Sequence, residues 1–213
     1  FLRFIFSIIL ILFFSIIYLS TIGIETKRFN QQINTLVKNL NNELEIELRK
    51  IKIVIDPLSF QINAKTLGPK LKIKNKIIEL ENIKSQISIK SLINNQFSLK
   101  NLNISTKSIQ INNLISFSRI FKNSPELYIL EKIIRDGYLI SEMSFEFDAK
   151  GNIKNNYKIE GLVKNAKVAI LKKYDLKKID FIFDLTNKEL SLKDTKFLLN
   201  DIPLIAEEIL IKD

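Results

Sequence analysis

The chain contains no cysteine, no histidine and no tryptophan, and its 213 residues include a single methionine, four prolines and five glycines. The absence of cysteine excludes disulfides and thiolate metal sites. The absence of histidine removes imidazole acid–base chemistry, the Ser-His-Asp triad and His-based metal binding from these residues. The glycines, Gly23, Gly68, Gly137, Gly151 and Gly161, are too dispersed for a phosphate-cradling loop. The carboxylates read as surface charge: Glu79 and Glu81 share one solvent face of a strand, and Glu43, Glu45 and Glu47 stand beside Arg49 and Lys50. No cofactor and no enzyme active site are expected, because perturbed acid–base groups need burial that exposed alternating strands do not offer.

What is present begins with an apolar run. Residues 4–24 carry no charge. As a helix this run would reach about 32 Å, enough to cross a hydrocarbon core. Its interruptions are Ser7, Ser15, Ser20, Thr21 and Gly23, and Tyr18 lies near one end, where an interfacial aromatic would sit. The run is longer than the apolar region of a signal peptide, and no A-x-A-like cleavage site follows it. The expectation is a transmembrane anchor over residues 1–25. Arg3 flanks one side and Lys27 and Arg28 the other, so charge does not set the orientation. The chain starts at Phe1, not Met, and reads as a piece of a longer product.

The net charge of +10, from 33 Lys+Arg against 23 Asp+Glu, raises nucleic acid or an anionic membrane as partners. Dispersed lysines such as Lys70, Lys72, Lys74 and Lys76, with no compact basic cluster interleaved with stacking aromatics, argue against nucleic acid.

After the anchor, Phe29, Ile33, Leu36, Val37, Leu40 and Leu44 recur every three or four residues, which predicts an amphipathic helix over 26–48 capping the end of a β body. The period becomes two at Ile51, Ile53 and Ile55, and Asp56-Pro57 precedes a further alternation at Leu58, Phe60 and Ile62. Short strands follow at 71–73, 78–80, 86–90, 96–99, 101–106 and 108–111. A helical insert of two short helices is predicted over 114–136, broken at Ser124-Pro125 and closed by Gly137 as a cap residue. Strands then resume with Phe145 and Phe147, and continue at 162–171, 178–185, 189–192, 195–199 and 202–211, with turns at 186–188 and at Lys193-Asp194. Turn signals about eight to twelve residues apart give the rhythm of a meandering antiparallel sheet, and no helices alternate with the strands as a parallel sheet would require.

A sheet with one apolar face must cover it, and three short helices are scant for so many strands. Either the β-rich region, 49–213, closes on itself as a sandwich or barrel, or it remains an elongated curved sheet whose apolar face is a groove for acyl chains.

The order of elements is informative here: an anchor ending in Leu19-Ser20-Thr21-Ile22-Gly23-Ile24, an amphipathic helix, strands of the form Ile51-Lys52-Ile53-Val54-Ile55, and later units such as Ile159-Glu160-Gly161-Leu162-Val163 followed by 178–185 and 189–192. It resembles the N-terminal portion of the AsmA-like superfamily, the group of AsmA, TamB and YhdP. The resemblance implies an inner-membrane protein of the Gram-negative envelope with a periplasmic β-groove that shields phospholipid or other acyl-chain lipids, for lipid transport or outer-membrane biogenesis. Its partners would be the membrane, lipid and other envelope proteins. The groove-lining residues would be Ile51, Ile53, Ile55, Phe60, Ile62, Ile87, Ile89, Phe97, Leu99, Phe145, Phe147, Phe181 and Phe183. Two alternatives are an LptC-like bridge component for lipopolysaccharide, and an anchored assembly protein with a closed sheet.

Overall fold

The protein is described here from a computed structural model that covers residues 1–90, 99–121, 124–148, 152–170 and 174–212. The apolar run forms α1 (Leu2–Thr21), a helix long and apolar enough to cross a membrane, with none of its residues buried against the rest of the chain. Then come β1 (Ile24–Thr26), α2 (Asn30–Leu40), β2 (Leu44–Glu47), β3 (Ile51–Asp56), β4 (Gln61–Leu67), β5 (Lys70–Ile73), β6 (Lys76–Ser88), β7 (Leu99–Thr106) and β8 (Ile109–Gln110). Two helices, α3 (Ile111–Phe121) and α4 (Pro125–Ile133), precede β9 (Ile134–Glu146), β10 (Lys158–Ile170), β11 (Tyr174–Thr186), β12 (Glu189–Leu199) and β13 (Ile202–Lys212).

The strands form one open antiparallel sheet, ordered β1-β3-β4-β6-β7-β9-β10-β11-β12-β13, so from β3 onward chain order is spatial order. β1 and β13 are its two ends. This is the mainly β antiparallel sheet expected from the strand rhythm, with two short helices in the middle, and it is open and curved, as the resemblance implied.

Several boundaries differ from the sequence reading. The helix expected over 26–48 occupies Asn30–Leu40, because Thr26 and Leu44–Glu47 are claimed by sheet pairing, β1 on β3 and β2 on β5. The helical insert runs from 111 to 133. Ser124 caps α4 by accepting the Leu127 N–H, with Pro125 in the first turn where no N–H is needed. Gly137 does not close that helix. Strand pairing takes over at Ile134, and Gly137 lies inside β9 with φ 132°. Lys193-Asp194 is not a turn either: β12 runs through it without interruption, Asp194 taking a left-handed conformation within the strand.

That last correction belongs to a pattern. β2 and β3, separated by residues 48–50, pair with β5 and β4 in the same register, Leu44 opposite Ile73 and Asp56 opposite Gln61. Within β6, β9, β10, β11 and β12, and across the β2–β3, β4–β5 and β7–β8 junctions, the apolar or buried alternation slips once from two residues to three: Leu48 to Ile51, Thr66 to Pro69, Leu80 to Ile83, Thr106 to Ile109, Ile134 to Gly137, Val163 to Ala166, Leu176 to Ile179 and Leu192 to Thr195. The slips sit side by side or one step apart. They coincide with register shifts in the β6–β7, β9–β10, β10–β11 and β11–β12 pairs and with positive φ at Gly68, Gly137, Asn165, Lys178 and Asp194. A single extra residue in a strand bends and twists it while restoring the face on which later side chains emerge. Aligned across neighbours, these residues make one crease through the sheet. Asp180 pins it locally, its carboxylate accepting the Asn165 N–H at 2.7 Å and pairing with Lys164 at 3.0 Å.

The crease divides the apolar face. On one side, Leu44, Ile73, Ile78, Leu80 and Ile109 form the core with Phe117, and Val37 of α2 and Leu114 and Ile120 of α3 pack against it. Asn30 ties α2 down by donating to the Leu48 and Arg49 carbonyls at the crease. Glu131 of α4 joins the two later helices, accepting from Ser116 at 2.7 Å and pairing with Arg119.

Gly161 and Gly68 test separate parts of this account. A Cβ at Gly161 would stand 2.2 Å from the Ile140 carbonyl oxygen and 2.9 Å from the Phe183 ring, so the paired strands would have to part. At Gly68 a Cβ meets nothing within 4 Å, and only its left-handed φ of 60° disfavours a side chain. Urea unfolding of the full chain in detergent should show Gly161→Ala costing about 2 kcal/mol or more, against about 1 kcal/mol for Gly68→Ala. The reverse order would overturn the close-approach argument.

Candidate functional site

Cross-strand registers place nine of the expected lining residues on one face of the sheet, on the side of the crease away from α2 and α3. Ile55 faces Ile62, Ile62 faces Ile87, and Ile87 faces Leu99. In the next row Ile24, Ile53, Ala64, Ser85, Leu102 and Phe145 follow one another across six strands. Phe183 lies between Gly161 and Leu192, its ring over the bare glycine, and Phe181 faces Val163. The two phenylalanines meet edge to face with centroids 6.3 Å apart.

The row that organises the face contains only one of the named residues. Starting at Thr26, it runs through Ile51, Thr66, Ile83, Ile104, Met143, Ile159, Leu185 and Leu190 to Ile211, one residue from each of ten successive strands. At about 4.8 Å per strand it is about 43 Å long. It starts buried at Ile51 and ends 54% exposed at Ile211. Ile53, Ile55, Ile62, Ile87, Phe145, Phe181 and Phe183 are all half-buried.

Four expected residues fall elsewhere. Phe60 is in the turn between β3 and β4, at φ 51° and 66% exposed, because Asp56 accepts the Leu58 and Ser59 N–H groups and turns the chain before the alternation can resume. Ile89 lies just past β6 in a short helical turn, half-buried, its N–H donating to the Phe60 carbonyl. Phe147 makes an isolated bridge with Ile153 beyond β9. Phe97 lies outside the described residues.

The opposite face carries an apolar row of Ile140, Leu162 and Ile182 and many charges, several of them matched in pairs. Lys70 and Lys107 both hold Glu79, Lys72 holds Glu47, Lys74 holds Glu43, and Lys158 pairs with Glu160 and Asp184. An exception is a cleft of about 1380 Å³ over β3, β4, β6 and β7, rimmed by Glu25, Lys27 and the crease residues Leu48, Arg49 and Lys50. Its floor is Lys52, Lys65 and Lys84 in one cross-strand row, with Asn63, Gln86 and Asn101 in the next. The sequence carries this signal in the shared parity of those lysines once the register is known, but nothing in their spacing reveals the register.

Glu79 is the most perturbed carboxyl among the described residues. Hydrogen bonds and charge from Lys70 and Lys107 hold it down to about 2. Its folded-state value lies below the ordinary 4.5, so the contribution of this cluster to stability is complete above pH 4.5 and is lost as the pH falls toward 2. Carboxyl NMR titration should place Glu79 near that value, and Lys107→Gln should move its titration upward. An unshifted Glu79 would remove the cluster as a tie between β5, β6 and the β7–β8 junction.

Comparison with known proteins yields no matching family model and no match among curated proteins.

Proposed function

We propose that this chain is a membrane-anchored envelope protein of the AsmA-like type, in which α1 crosses the inner membrane and the creased sheet stands in the periplasm and holds lipid acyl chains along its apolar face. The observation that carries this reading is the continuous row from Thr26 to Ile211, apolar at every strand after Thr66 and entered from the strand that directly follows α1. A face about 43 Å long exceeds the roughly 30 Å thickness of a bilayer core. It is continuous with the membrane end through Gly23, seated so closely on β3 that a Cβ would lie 2.3 Å from the Ile53 carbonyl oxygen. Helices α2 and α3 pack on the part of the face beyond the crease, and the aromatic and isoleucine rows are half-exposed among the described residues. The openness of the sheet supports a groove over a closed sandwich.

Lipid transport or outer-membrane biogenesis is the role such a groove would serve, with phospholipid as the cargo. The test is to purify the full chain in mild detergent and quantify co-purifying phospholipid by mass spectrometry. Bound phospholipid is expected for the parent protein. Phe145→Asp and Phe183→Asp should each lower it about tenfold, the equivalent of losing two methylene contacts of about 0.8 kcal/mol. Ile182→Asp, on the opposite face, should leave it unchanged. Equal retention by all three folded variants would sink the reading.

A further inference from the structure

The polar-face cleft gathers several cations around a single carboxylate. Lys52, Lys65 and Lys84 stand directly opposite one another on β3, β4 and β6. Like charges so placed repel and destabilise the pairing. Around them are Lys27, Arg49 and Lys50, and the single lining carboxylate, Glu25, is taken by Lys50 at 3.0 Å. Among the described residues no ion pair involves Lys27, Arg49, Lys52, Lys65 or Lys84. Elsewhere on this face lysines find carboxylates across the strands, as Lys164 finds Asp180 and Lys158 finds Asp184. Glu25 stands opposite Lys52 in the same row but bonds Lys50, so among the described residues the positive charge gathered in this concavity exceeds the one carboxylate that lines it. Beside the lysines, the Asn101 amide donates to Gln86 at 2.7 Å, and Asn63 and Asn103 add further donors. Cations with amide N–H groups in a concave site are the donor set that recognises phosphate oxygens.

Position narrows the source of that phosphate. Five residues lie between the end of α1 at Thr21 and Lys27 on the rim, a reach of at most about 20 Å of extended chain. We propose that the cleft binds the phosphate of anionic lipid headgroups at the surface of the membrane that holds α1. This rests on α1 spanning a membrane but not on the acyl-chain reading, since the cleft and the apolar face lie on opposite sides of the same strands. Headgroup binding here holds the β1–β3 end of the sheet at the membrane surface and supplies counter-charge to the three opposed lysines.

The test uses the full chain in neutral detergent with an equimolar mixture of phosphatidylglycerol and phosphatidylcholine, read by native mass spectrometry. The readout is the ratio of the two lipids retained, so occupancy of the apolar face does not enter. The parent protein should retain phosphatidylglycerol preferentially. The triple variant K52Q/K65Q/K84Q should lower the ratio about a hundredfold, at roughly fivefold for each lysine. It relieves repulsion, so its unfolding midpoint should not fall. K167Q/K178Q/K188Q makes the same change in net charge outside the cleft and should leave the ratio unchanged. Inorganic phosphate in excess, added alone, should not displace the lipid. Equal effects of the two triple variants, an unselective parent, or complete displacement by free phosphate would each overturn the proposal, the last by assigning the site to phosphate in solution.

Discussion

Backbone hydrogen bonding in a wide sheet has to continue from strand to strand even where the sheet bends, and the crease is how this chain meets that constraint. Each long strand takes one extra residue near the same level, several of them in the left-handed conformation that only glycine adopts without strain. Asn165 and Asp194 are the non-glycine residues that tolerate it best, while Lys178 adopts it within the same line. Because neighbours bend together, the ladder survives: Leu67 stays opposite Asn82 and Lys70 opposite Glu79 on either side of the bend. Without the extra residue, the apolar set beyond the bend would emerge on the polar face.

Everything else is arranged about that line. Helices α2 and α3 need an apolar surface to bury theirs, and the crease presents them with one patch, around Ile73, Ile78 and Leu80, without enclosing the remainder. The half-exposed rows of isoleucine and phenylalanine lie on the other side, where the proposed acyl chains would run. On the reverse face, crease residues Leu48, Arg49 and Lys50 form the rim of the basic cleft. The same bend thus separates a covered core, an open apolar face and a charged concavity. Glu79 reinforces it from the polar side, linking β5 through Lys70 to the chain between β7 and β8 through Lys107.

The proposed function starts from the resemblance in element order, and two features of the geometry support it: an open sheet and a direct junction of its first strand with α1. The geometry also moves the emphasis. The residues named from sequence cluster at Ile51, Ile53 and Ile55 and at the phenylalanines, whereas the continuous row depends equally on Ile83, Ile104, Met143 and Leu185, which sit in strands read as shorter or interrupted.

What the sequence by itself determined was local. Uncharged length made α1, the two-residue period made the strands, and Ser124-Pro125 set the start of α4, because each of these rests on hydrogen bonds or burial within a few neighbouring residues. The three-residue slips were also legible, at Leu80 to Ile83 or Val163 to Ala166, but alone each reads as a strand end, as Lys193-Asp194 did. The tertiary structure decided that they align into a crease, that Phe60 turns away while Phe183 covers Gly161, and that Lys52, Lys65 and Lys84 converge. Those outcomes depend on which residue of one strand stands opposite which residue of the next, and register is fixed by all the strands pairing together.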